Sequence, residues 1–344
     1  MHDANHPGEH GDEHEDERRS EHALDELVHR VDLDGLVRLV DSLCAQRDWA
    51  GVLAARDACR AAVRTGRQLW PVATLAEYRL ALWAPAEWSA TVLDDESGRF
   101  AIGPLSEVAA QGHELAELMP HVHAPHRLGL IAHERALRGE AVPPGTPNPL
   151  DIPFEAQDWE PAYSLAEYSN AGLTDPPPNA PSLAGAGIEA WPRGEPVDDE
   201  LVEAAVRQLL DTWTAASNGR VESSCVEGTA AEAIGALGVP SGRRVALGHD
   251  EALRWLAWAG STGGAHGRRR GAATGRFGTW WLLAALGDLL DEWPPDPNEL
   301  GAFARRLRWW WWDAAEPSLG WSLQIAVEDP DEQLAWAISA RDAR

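Results

Sequence analysis

The chain has 344 residues, a net charge of −26 and 29 basic residues, every one an arginine. Without lysine, a Walker-type phosphate loop, Schiff-base chemistry and a kinase of the usual kind are all excluded. The acid excess argues against nucleic acid as a partner, and the longest apolar stretch, Trp280 to Leu286, is too short to span a bilayer, so no membrane is expected.

Residues 1–22 are rich in His, Asp, Glu and Gly, and carry no large apolar residue after Met1. Such a segment cannot bury enough surface to order itself, and a disordered tail is expected. It is charged rather than apolar, so it does not read as a secretory leader. His2, His6, His10 and His14 recur every fourth residue, but Pro7, Gly8 and Gly11 argue against a helix there. Residues 23–140 read as a helical module. Leu33, Leu36, Val37, Val40 and Leu43 recur at helical spacing behind Asp32 as N-cap. Trp49, Val52, Leu53, Cys59 and Val63 form a second stripe that stops at Gly66, and Pro71 sits where a first-turn proline belongs. Two further helices fit 104–118 and 126–138. Short connections make these antiparallel neighbours, in a bundle or hairpin array.

Residues 141–197 form a Pro-rich acidic connector or belt holding 12 of the 24 prolines. Trp159, Tyr163, Leu165 and Tyr168 favour a belt that docks in places. The GxGxxA spacing at Gly185 to Ala190 lacks the strand and helix a dinucleotide site needs. Residues 198–344 read as a Trp-rich α+β module. Asp198 or Asp199 caps a helix through Trp213. Short strands are predicted at Val221–Val226 and Val245–Leu247, and helices at about 250–259 and 276–291. Asp296-Pro297-Asn298-Glu299 starts another helix. Trp321 to Val327 and Leu334 to Ile338 alternate around Asp329-Pro330-Asp331, a hairpin signature. The fold class is therefore α+β and predominantly helical, with an N-terminal helical bundle or hairpin array and a C-terminal α+β module containing a small antiparallel sheet.

Four constellations suggest chemistry. The Gly/Arg-rich loop 260–276 lies in a stretch with seven arginines between 243 and 276 against Asp250 and Glu251. Arg268, Arg269, Arg270 and Arg276 could hold an anion two-pronged, with His266 as the catalytic acid–base. The same arginines could instead pair with the protein's own carboxylates. The run Trp309 to Trp312 follows Arg305, Arg306 and Arg308; as a strand it places Trp310 and Trp312 on one face, an aromatic surface for a sugar unless both faces are covered. His121, His123 and His126 give an HxHxxH spacing that would suit zinc if the turn folds back; otherwise no cofactor is expected. Cys44, Cys59 and Cys225 contain no CxxC pair and read as reduced thiols of a cytoplasmic protein. The stretch from Gly260 through Trp281, the Trp run and Trp321 to Trp336 together resemble hypothetical proteins of high-GC actinobacteria, a family without an assigned activity. That resemblance implies a bacterial cytoplasmic protein and transfers no catalytic residue.

Three functions follow as expectations. The first is a non-enzymatic binding or interaction protein whose helical half presents a groove to a partner protein. The second is an enzyme acting on an anionic small molecule at 260–276. The third is a carbohydrate-binding surface.

Overall fold

The computed structural model describes residues 22–94, 102–315 and 320–342. The tail expected over 1–22 lies outside them, apart from residue 22, which begins the first helix. The chain divides into two compact units, residues 1–101 and 102–344.

The first unit is helical: α1 (22–30), α2 (Leu33–Gln46), α3 (Trp49–Arg64), α4 (Trp70–Trp83) and α5 (Ala86–Leu93). Asp32 and Asp48 cap α2 and α3 by accepting the Gly35 and Gly51 N–H groups, each at 2.9 Å. Helix α4 packs against α2, α3 and α5 and is apolar almost all round, so it forms the centre of the unit. Its one buried carboxylate, Glu77, is paired with Arg56 and Arg60 of α3.

The second unit begins with α6 (Leu105–Gly112), α7 (Leu115–Leu118) and α8 (Pro125–Leu137). The helical module expected over 23–140 is thus divided, and these three helices belong with the C-terminal half. The physical reason is charge matching: buried Glu107 of α6 and Glu134 of α8 find their partners near residues 269–273. The Pro-rich stretch that follows is docked rather than free. It contributes the hairpin β1 (Glu167–Ser169) and β2 (Gly172–Thr174), and the short strand β3 (Glu189–Ala190). Buried Trp159 donates its indole N–H to the Pro297 carbonyl at 2.9 Å.

The remaining elements are α9 (Glu200–Leu209), α10 (Asp211–Ala215), β4 (Arg220–Glu227), α11 (Ala230–Ala236), β5 (Ser241–Leu247), α12 (His249–Ser261), α13 (Ala272–Leu286), a 3₁₀ turn (Leu290–Glu292), α14 (Pro297–Arg306), β6 (Arg308–Asp313), β7 (Trp321–Asp329) and β8 (Leu334–Asp342). Six strands form one antiparallel sheet in the order β3-β5-β6-β7-β8-β4. Alternation sorts its faces. Leu247, Trp309, Trp311, Leu323, Ile325, Val327, Trp336 and Ile338 face α9, α12 and α13 in the main core. Val226, Trp312, Ala326, Ala335 and Ala337 face α11 and Trp191. The Arg243–Asp313 pair, directly opposite in the ladder and joined by two hydrogen bonds, helps fix the β5–β6 register.

Helix α13 is buried on nearly every side. Glycines make this possible by close approach. A Cβ on Gly275 would lie 2.1 Å from the Ala257 carbonyl oxygen, and one on Gly260 would lie 2.5 Å from a Leu209 methyl. Several glycines of the 260–276 stretch therefore serve contact between helices, not the approach of a ligand to backbone amides. Among the described residues no helix is long and apolar enough to cross a membrane.

Candidate functional site

The loop between α12 and α13 is tied down along its length. The buried carboxylate of Asp342 accepts the Ala265 N–H at 2.6 Å, and the Arg270 N–H bonds the Ser261 carbonyl at 2.7 Å. The loop then delivers its arginines to different places. Arg269 turns inward and is 4% exposed. Its Nε and Nη2 donate to the two Glu107 carboxylate oxygens at 2.8 and 2.7 Å, and Nη1 donates to Asp175. The Tyr168 hydroxyl adds a hydrogen bond to Glu107 at 2.6 Å. Arg276 points elsewhere. It grips Glu160 with two donors at 2.7 and 2.6 Å and also bonds the carbonyls of Pro153, Phe154 and Glu155. Both arginines thus bind carboxylates two-pronged, but the carboxylates are the protein's own. Arg276 pins the belt; Arg269 joins α6, the belt and the loop.

The start of α13 is similarly occupied. Glu107 accepts the Ala272 N–H at 3.0 Å, and Glu134 accepts the Ala273 N–H at 2.8 Å. Two carboxylates therefore satisfy first-turn amides of this helix. Their protonation is driven apart. Burial would raise the Glu107 pKa, but Arg269, Tyr168 and the Ala272 N–H outweigh it and hold it below the usual carboxylate value. Glu134 is pushed up to about 7 by burial and then by the negative charge of Glu107, against the opposing pull of Arg138. The Arg138 Nη1 lies 3.1 Å from its Oε2.

A cleft of about 470 Å³ opens beside this pair. Arg127, Arg268, Arg269 and Arg270 line it together with Glu134, Asp211, Ser106, Thr212 and Thr274. Arg270 donates to the Gln208 carbonyl at 3.0 Å, and burial lowers its pKa against the opposing charge of Asp211. Arg127 forms no ion pair with a described residue. The arrangement combines cationic walls, hydroxyl groups and a buried carboxyl poised near neutral pH. It suits a small anion, and it gives that anion a neighbour able to give or take a proton.

The other candidates are placed differently. His266 is exposed, does not line the cleft, and its backbone N–H bonds the Ser217 hydroxyl at 3.2 Å. The structure does not bring it to the arginines, because the anchored loop sends its tip outward. Trp312 is completely buried, edge-on to Trp191 with ring centroids 5.9 Å apart, and Trp310 is half-buried beside Arg244. The proposed aromatic surface therefore loses Trp312, which α11 and Trp191 cover, and leaves Trp310 alone half-exposed. His121, His123 and His126 are exposed, and among the described residues no group of three or more His, Cys, Asp or Glu is placed to hold a metal ion. His133 is a core residue. Its Nε2 lies 2.8 Å from Asn148 Oδ1, and burial lowers its pKa to about 4. The exposed large apolar side chains of the first unit, Val31, Leu33, Val63 and Trp83, are each only 37–42% exposed.

Glu107, Glu134, Asp175, Tyr168 and Arg127 are absent from the set predicted from sequence. One signal was available. On α8, Glu134 lies three residues after Ile131 and four after Leu130, on the apolar side where a carboxyl requires an explanation.

A family model described as a family of unknown function (DUF6183) matches residues 34–344, and the chain belongs to that family. No curated protein and no solved structure matches it.

Proposed function

We propose that this DUF6183 member is a binding protein for a small anionic molecule, held in the cleft between α8, α10 and the start of α13. The observation that carries this reading is the convergence of Arg127, Arg268 and Arg270 on a cleft bordered by buried Glu134. In a chain of net charge −26, Arg127, Arg268 and Arg270 outnumber Asp211 and Glu134 in this concavity, besides Arg269, which Glu107 and Asp175 already match, and so draw anions from solution. Glu134 adds acid–base capacity, so chemistry on the bound molecule is a second reading that the same cleft supports. The lysine-free composition and the three free cysteines support a cytoplasmic protein of a high-GC bacterium.

The test is a thermal-shift screen against small carboxylates, with neutral sugars as controls, repeated on the double variant R127Q/R270Q. A ligand at one hundred times its Kd stabilises by about 2.7 kcal/mol. Anions should raise the Tm of the parent protein, neutral sugars should not, and the effect should vanish in the double variant. If no anion stabilises the parent, or the variant responds equally, the reading is wrong.

A further inference from the structure

A second concavity lies on the opposite side of the sheet from the main core. It has a volume of about 600 Å³ and is lined by Arg220, Arg341, Glu222, Ser241, Ser339 and Asn218, among others. The β4–β8 register sets Arg220 directly opposite Arg341. Directly opposed residues of an antiparallel pair share a face, and like charges in that position repel. In an acidic chain such a pair would ordinarily be neutralised. The two are exposed, and neither forms an ion pair with a described residue. The next register pair on this face, Glu222 and Ser339, sets one carboxylate and one hydroxyl beside the two guanidinium groups. One strand further on, Gln324 faces Ser339 across the ladder. Gln324 is 4% exposed, and its Nε2 is buried without an acceptor. Gln324 does not itself line the groove, so the sign of an absent acceptor within it is the opposed arginine pair.

We infer that this groove is a second ligand site, which takes a phosphate monoester with a hydroxylated body. The paired guanidinium groups supply the two-pronged contact that a phosphate group requires. The serine hydroxyls and the Asn218 amide suit hydroxyl groups on the remainder of the molecule. Among the described residues no aromatic ring lines the groove, so none of them would stack on a nucleobase there. The site is independent of the cleft beside α13, with which it shares no lining residue.

The experiment is titration calorimetry of the full chain with glycerol 3-phosphate, and with glycerol as control. Parent protein, R220Q/R341Q, R127Q/R270Q and the combination of the two are compared. The expected result is saturable binding of glycerol 3-phosphate, none of glycerol, retention of this binding in R127Q/R270Q, and at least a tenfold loss of affinity there when R220Q/R341Q is added. Urea unfolding of the ligand-free proteins should find R220Q/R341Q at least as stable as the parent, because it relieves a repulsion. The inference is overturned by absent binding in R127Q/R270Q, which lacks two arginines of the cleft beside α13, or by binding there that survives when R220Q/R341Q is added. It is equally overturned if R220Q/R341Q is clearly less stable, since the arginines would then be structural.

Discussion

Substituting Glu134 by Gln tests the electrostatics at the start of α13. The carboxyl is 2% exposed, and burial together with neighbouring Glu107 raises its pKa from 4.5 to about 7. At 1.36 kcal/mol for each tenfold change in acidity, that rise corresponds to about 3 kcal/mol. The folded protein holds this proton more tightly than the unfolded chain does. The contribution is therefore fully present below pH 4.5 and is lost as the pH rises through 7. Glutamine keeps an oxygen for the Ala273 N–H, has nearly the same shape as the protonated acid, and does not titrate. The parent and E134Q should therefore be closely matched at pH 5. By pH 8.5 the variant should gain about 2–3 kcal/mol relative to the parent. Glu107, held below the usual carboxylate value, is ionised in both proteins between pH 5 and 8.5 and so drops out of the difference. At about 2–4 °C for each kcal/mol in a unit of this size, the change in relative Tm is about 5–10 °C. Urea titrations followed by tryptophan fluorescence at pH 5 and 8.5 measure it directly. A stability difference constant to within about 0.5 kcal/mol across that range would refute the raised pKa.

Four further outcomes follow. Arg269→Ala leaves Glu107 and Asp175 buried without their shared cation, and should cost about 3–5 kcal/mol by urea unfolding; a loss below about 1 kcal/mol would mean the clamp is unimportant. Gly271→Ala should cost about 1–3 kcal/mol, because its φ is +99° and a Cβ would lie 2.9 Å from Glu134 Oε1 and 3.1 Å from Pro104; an unchanged Tm contradicts this. Arg276→Lys cannot reproduce the two-pronged grip on Glu160 together with three carbonyl contacts, so limited proteolysis should cut within 150–160 faster than in the parent, and equal cutting rates would show that the belt is held by other contacts. Trp312→Ala should destabilise by about 3–5 kcal/mol and Trp310→Ala by less, since only Trp312 is fully buried; the reverse order in thermal unfolding would contradict the assignment of faces.

The elements were legible where periodicity and punctuation coincide. Asp32 caps α2 as its spacing implies, and the Asp329-Pro330-Asp331 turn does join two paired strands. The alternation of the Trp run holds as well: Trp309 and Trp311 lie in the main core, and Trp310 and Trp312 share the other face. What alternation cannot show is whether the second face is covered. That depends on α11 and on Trp191, which lies more than a hundred residues before the run. The start of α13 was misplaced for a related reason. Residues 272–275 are Ala, Ala, Thr and Gly, with no apolar stripe to reveal a helix. The helix begins there because Glu107 and Glu134 cap its amides, and neither is nearby in sequence.

The fate of the loop arginines follows the same logic, and it explains why composition could locate a basic cluster without identifying its use. Arg269 meets Glu107 across 162 residues and Asp175 across 94; Arg276 meets Glu160 across 116. Each is neutralised by a carboxylate that only the tertiary fold supplies, so local net charge overstates what remains for a ligand. Conversely, Arg220 and Arg341 are isolated in the sequence and become neighbours only through the β4–β8 register. A guanidinium in an acidic chain is normally matched by one of the surplus carboxylates. The informative arginines are therefore those that the fold brings to a concavity without such a match among the described residues, Arg127 at one cleft and the Arg220–Arg341 pair at the other. Their position reflects strand register and helix packing, so a run such as 268–270 is visible in the sequence and the opposed pair is not.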